Sequence, residues 1–225
     1  PVIPVTLADG YSMNAWFDLL TPYGETGDED VSGIHSMSEN IHKLIENEIT
    51  EHSIPASRII VGGYSQGGGL ALYSALNYRT PIAGIIAISC WLPLRNEFPV
   101  VIKEEMKSIP VFQCHGEADP VIACDWSLMT TNVLKTAMSN YCVKTYPGLG
   151  HSTFPPVKYD SQNVLISIEF LKEVHFVLKI FTLTSFPLGN TRCPRIHEKM
   201  FNVLKFSEHL MCDEINFHPQ VVAMQ

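Results

Sequence analysis

An apolar, β-branched run, Ile59-Ile60-Val61, halts at Gly62-Gly63 and passes through Tyr64-Ser65-Gln66-Gly67 into LALYSAL, a run suited to a helix. A buried strand that turns straight into a helix restricts the fold more than any other segment here, because the helix must pack back on a sheet that it helps to cover. The turn is tight. Glycines two residues before and after the serine, Gly63 and Gly67, are needed where the strand and helix backbones approach closely. Such a nucleophile elbow lifts the Ser65 hydroxyl above the sheet and sets the Gln66 N–H at a helix N-terminus, where an oxyanion can be held. An ordinary glycine-rich turn shares these residues, so the reading rests on the flanking strand and helix together.

The rest of the chain repeats that alternation. Over 32–51, Ile34, Met37, Ile41, Leu44, Ile45 and Ile49 recur at helical spacing, with Glu39, Lys43, Glu46 and Glu48 on other faces. A strand at 58–62 leads to the elbow and a helix at about 67–78. AGIIAISC (83–90) is apolar throughout, the mark of a strand buried on both faces of a parallel sheet. IPVFQCHG (109–116) reads as a third strand and YCVKTY (141–146) as a fourth, separated by a helix at about 125–138. The fold class is therefore α/β, with a central, mostly parallel sheet flanked by helices. Residues 1–30 carry turn formers and acids and read as a long ordered loop anchored by Trp16 and Phe17, with Glu29 and Asp30 solvated. Residues 156–225 differ: the stretch 164–186 is apolar without a clean period and suggests a helix near 163–180.

Composition excludes several classes. A chain of 225 residues, 46% hydrophobic, is long enough for one domain with a sizeable core. The net charge is −8 with no basic cluster, which argues against nucleic acid as the main partner. Six scattered cysteines without a CxxC pair imply free thiols and a reducing compartment. No apolar span of membrane-crossing length is evident, and PVIPVTLADG lacks the features of a signal peptide. The chain starts without methionine, so Pro1 is read as lying inside a longer polypeptide. His35 and His42, seven apart on one helix, are too distant for a metal-binding pair; neither metal nor cofactor is expected.

A serine hydroxyl needs a base to take its proton and a third group to orient that base. After an elbow the order is serine, then Asp or Glu, then His, on loops that follow later strands. Asp119, in HGEADPVI, follows the third strand; His151, in GLGHS, follows the fourth, with Gly148 and Gly150 permitting the loop to return the ring. An Asp before Pro is commonly a turn residue and a loop His is commonly solvated, so order and placement carry the assignment. His115 competes, but its place at a strand end favours a structural hydrogen bond. Asp125 is the alternative acid to Asp119, but it is read as a cap for the helix at 126. Trp91, Leu92 and Pro93, after the strand at 83–90, are candidates to line an acyl pocket, against the alternative that they are core.

The blocks WFDLL, DEDVSGI, SRIIVGGYSQGGGLALYSAL, GIIAISCWLPLR, PVFQCHGEADPVI and KTYPGLGHS, in this order over about residues 3–154, resemble the acyl-protein thioesterase and lysophospholipase (carboxylesterase) family of small α/β-hydrolases. The resemblance implies a cytoplasmic serine hydrolase without cofactor. Its substrates would be S-acylated, chiefly palmitoylated, proteins and lysophospholipids, with transient contact at a membrane surface. It gives Ser65 as nucleophile, Asp119 as orienting acid, His151 as base and the Gln66 N–H as one oxyanion donor. Two departures accompany it. Family members carry a first strand and a His-Gly-Leu-Gly-Asp type loop before the position of Pro1; that loop supplies a second oxyanion donor and part of the acyl channel. On that reading residues 1–155 form a partial α/β-hydrolase domain lacking its N-terminal strands and oxyanion loop, and the strand at 58–62 has an unpaired edge. Residues 156–225 form a divergent C-terminal extension. The rival readings are a weak or inactive homologue acting as a binding protein, and a general short-chain carboxylesterase.

Overall fold

The computed structural model describes residues 1–21 and 27–152, together with the backbone of 177–181. Its centre is a five-stranded sheet in the order β6-β5-β4-β3-β7, built from β3 (Ile59–Tyr64), β4 (Gly84–Ile88), β5 (Val111–Gly116), β6 (Tyr141–Tyr146) and β7 (Val177–Phe181). Every neighbouring pair in it is parallel. Continuous burial of β3, β4 and β5 explains why their sequences are apolar runs rather than alternations.

Among the described residues, three α-helices cover this sheet or pack beside it: α1 (Val31–Thr50), α2 (Gln66–Leu76) and α3 (Cys124–Ala137). In α1 the periodic residues Ile34, Ile41 and Ile45 are buried. All of α2 is buried, with Gly68 and Gly69 in place of larger side chains where Cys90 and the Trp91 carbonyl press against it. The main core gathers residues from these helices with Ile59, Val61, Ile85 and Val111; a smaller cluster on the other face joins Ile60, Ile86, Ile88, Phe112, Cys114 and Tyr146.

Several expectations are corrected. Residues 1–14 form an antiparallel hairpin of β1 (Val2–Val5) and β2 (Tyr11–Asn14) rather than a loop; Asp9 and Gly10 take positive φ at its turn. The strands are short and one carries Pro4, so the alternation is brief. Of the two expected anchors beyond the hairpin, Phe17 is buried and Trp16 partly so, with Ala15 and Leu19 buried beside them. Asp30 and Glu29 are not merely solvated acids. Asp30 caps α1 through the Gly33 N–H and also accepts the Asp18 N–H, while the Glu29 carboxylate accepts the Leu94 N–H at 3.0 Å. Partial burial pushes the Glu29 carboxyl above its ordinary pKa, against the lowering effect of that bond. Asp125 does not cap α3, whose N-cap is Ala123; it lies in the first turn, where its charge suits the helix dipole. The helix expected near 163–180 gives way to strand from Val177, and the rest of that span lies outside the described residues. The edge of β3 is not bare: β7 pairs with it from Ile59 to Gly63.

Candidate active site

The elbow is built as its glycines require. Ser65 takes φ 56, ψ −130, a region that an L-residue rarely adopts. A Cβ on Gly63 would overlap the Gly67 carbonyl, so strand and helix can meet only over a glycine. The Ser65 N–H extends the sheet ladder to the Ile88 carbonyl at 2.9 Å, while the Ser65 carbonyl accepts from Gly68 and Gly69 at the start of α2. As the first residue of α2, Gln66 has a backbone N–H without an intrahelical acceptor.

Loops after β5 and β6 bring two further residues to the serine. His151 Nε2 lies 3.0 Å from Ser65 Oγ, and His151 Nδ1 lies 2.7 Å from Asp119 Oδ2. Asp119 Oδ1 accepts the N–H groups of Val121 and Ile122, both at 2.9 Å. Burial alone would raise the Asp119 pKa, but hydrogen bonds from His115 and His151, the positive His151 edge and the Ile122 N–H together hold it well below the ordinary carboxylate range. The two loops are docked to each other: a Cβ on Gly116 would overlap the Leu149 carbonyl, and the Ala118 N–H donates to that same carbonyl at 3.0 Å. Gly148 takes φ +72 as the loop requires; Gly150 keeps a φ open to other residues.

The ionised Asp119 accepts from Nδ1, which leaves Nε2 of His151 to accept the proton of Ser65 Oγ. The geometry therefore suits general-base activation of a hydroxyl, beside a helix N-terminus that favours negative charge.

The apolar residues after β4 are all buried. Trp91 meets Phe17 edge-on at 6.4 Å, the Leu92 N–H donates to Thr130 Oγ1, and Pro93 packs over Gly69 behind the elbow. His115 makes the structural bond expected of it, to the Ile122 carbonyl. His35 lies 3.3 Å from Glu97 and His42 bonds the Ser74 carbonyl. No group of His, Cys, Asp and Glu suited to a metal ion occurs among the described residues.

Two participants escaped the sequence reading. The ring of Tyr64 lies 4.8 Å from that of His151 and limits its swing; burial and the neighbouring Asp119 charge push the Tyr64 hydroxyl pKa far up. An aromatic residue directly before the serine was the available signal. The Gln66 side chain, wholly buried, receives the Trp16 N–H and donates to the Phe17 carbonyl. Its partners lie about fifty residues away, and no local pattern announces them.

Fold and site together define an α/β-hydrolase. The chain belongs to the Phospholipase/Carboxylesterase family, which its residues 1–167 match, and it is accordingly an esterase-type hydrolase. It is 40% identical over 166 residues to acyl-protein thioesterase 1 of Mycosarcoma maydis, an alignment covering 69% of each chain. Among solved structures, Arabidopsis thaliana SOBER1 superposes with a TM-score of 0.70 at 29% identity, covering 75% of this chain and 80% of that one. Zea mays acyl-protein thioesterase 2 gives 0.67 at 29% identity, covering 75% and 78%.

Proposed function

We propose that this chain hydrolyses long-chain acyl thioesters, releasing fatty acids such as palmitate from protein cysteines, through an acyl-enzyme on Ser65. The observation that carries the reading is the single imidazole of His151 bridging Ser65 Oγ and the Asp119 carboxylate. In the first step the Ser65 Oγ–H proton passes to His151 Nε2 while Oγ bonds to the acyl carbon. The carbonyl oxygen takes up the negative charge beside the Gln66 N–H. Collapse of that adduct breaks the C–S bond, and His151 returns the proton to the departing thiol. A water, deprotonated by His151, then attacks the acyl-serine; the fatty acid leaves and Oγ regains its proton. Asp119 orients the ring and stabilises its cationic form throughout.

The thioester substrate class is supported by the acyl-protein thioesterases among the relatives. Trp91, with Leu92 and Pro93, is assigned to the border of the acyl chain; Trp91 lies buried edge-on against Phe17. Lysophospholipids present the same acyl carbonyl on an ester oxygen, so the same steps serve them, with the lipid met at a membrane surface. The described cysteines are free, in keeping with a reducing cytoplasm; no described helix is long and apolar enough to cross a membrane.

The test uses the purified full chain with p-nitrophenyl esters from C2 to C16, an S-palmitoylated peptide and a fluorophosphonate probe. Turnover of the peptide, a preference for longer chains and labelling abolished by Ser65→Ala are expected. Labelling that survives Ser65→Ala sinks the serine assignment, and a preference for the shortest esters points to a general carboxylesterase.

A further inference from the structure

One buried histidine has no part in the steps above. His115, next to last in β5, is 1% exposed. Its Nε2 lies 2.8 Å from the Ile122 carbonyl oxygen and 3.4 Å from Asp119 Oδ2. Both neighbours are acceptors only, so the ring proton sits on Nε2. Nδ1 is buried and meets no hydrogen-bond partner among the described residues. A buried polar atom without a partner destabilises; a phenyl or leucyl side chain would fill the space without that penalty. What such a side chain lacks is the N–H on the Nε2 edge.

That N–H meets one particular turn. Asp119 Oδ1 grips the N–H of Ile122, and His115 grips the carbonyl of the same residue. Ile122 is thus held on both sides, and the chain from 119 to 122 can rotate only by breaking both bonds. The Asp119 oxygen nearest His115 is Oδ2, the one bonded to His151 Nδ1.

We propose that His115 is a positioning residue for the active site: it locks the 119–122 turn through the Ile122 carbonyl and steadies the Asp119 oxygen that orients His151. The proposal rests on the roles given above to Asp119 and His151. It touches no reacting atom, so its loss acts on the chemical step and leaves substrate binding alone.

The test compares His115→Phe, His115→Gln and His115→Asn in the full chain. A displaced catalytic group costs up to about 10²-fold for about 1 Å of misplacement, so we expect kcat to fall roughly 10-fold or more in His115→Phe with KM unchanged. Glutamine can set its amide nitrogen near the place of Nε2 and is expected to restore most of kcat. Asparagine, whose amide stands nearer the place of Nδ1, is expected not to. A His115→Phe protein with wild-type kcat, or equal rates for the glutamine and asparagine variants, overturns the proposal; the latter comparison decides it if the phenylalanine variant does not fold. A second readout needs no turnover: the His151 Nδ1–H proton resonance, far downfield when bonded to Asp119, is expected to weaken or move upfield in His115→Asn and persist in His115→Gln. An unchanged resonance in the asparagine variant overturns the positioning role. Failure of the wild-type chain to be labelled at Ser65 overturns instead the serine assignment on which the role depends.

Discussion

Gln66 holds Trp16 across fifty residues of sequence: its Oε1 accepts the Trp16 N–H at 2.9 Å while its Nε2 donates to the Phe17 carbonyl at 2.8 Å. The residue whose backbone N–H is proposed to hold the oxyanion therefore also fastens the segment that carries Phe17 against Trp91. Gln66→Leu keeps the volume and removes both bonds. Leaving buried backbone groups unpaired costs about 1–3 kcal/mol each, so a urea titration should show a loss of that order. If Trp91 borders the acyl chain as proposed, the rate on long acyl esters should fall more than on acetyl esters, because its contact with Phe17 loosens.

Asp119→Asn tests the orientation of the base. An amide cannot support a cationic ring and invites the wrong tautomer of His151, so kcat is expected to fall by about 10⁴ with KM nearly unchanged. Steady-state kinetics on p-nitrophenyl octanoate measure it. A loss of less than 10-fold would show that another group orients the ring.

The same carboxylate sets part of the response to acid. Its folded-state pKa lies well below the ordinary 3.8, so its contribution to stability is complete above that value and disappears as pH falls toward the native one. Melting temperatures of the wild type and Asp119→Asn measured from pH 7 downward should converge as the solution becomes more acidic. A gap that stayed constant would mean that the depressed titration contributes nothing.

Strain at Ser65 is separable from the chemistry proposed for it. Ser65 sits at φ 56, ψ −130, and such conformations cost about 1–3 kcal/mol for a residue with a Cβ. Ser65→Gly should be inactive and yet melt higher than Ser65→Ala, an ordering that thermal denaturation can read directly.

The joint between the acid and base loops is expected to be intolerant of any side chain. Gly116→Ala pushes a methyl into the Leu149 carbonyl, a backbone atom that cannot swing away. Labelling by a fluorophosphonate should slow sharply even where circular dichroism shows the sheet intact, because His151 lies just beyond Leu149 in that loop.

How much of this was legible from the residues follows the range of each interaction. The strands β3, β4, β5 and β6 and the three helices lie within a few residues of where apolar runs and helical spacing place them, because those patterns record burial directly. That Ser65, Asp119 and His151 meet was legible because order along the chain, combined with one residue type after each strand, is a long-range constraint written locally. The hairpin at 2–14 was hidden by brief strands and by Pro4. The pairing of β7 on β3 was hidden because a parallel partner more than a hundred residues away leaves no trace in either strand. The Gln66 strap and the Glu29 bond to Leu94 were invisible for the same reason: a side chain meeting a distant backbone group has no period.

The three polar groups stand beyond the ends of β3, β5 and β6, with β4 lying between the first two. No hairpin, single crossover or pair of adjacent strands contains all of them. Any partial opening that peels β6 from β5, or β5 from β4, separates the imidazole from the hydroxyl before the chain has lost much helix. Probe labelling would then report the integrity of the whole sheet, and residual activity in a partly denatured sample would count intact molecules rather than weakened ones.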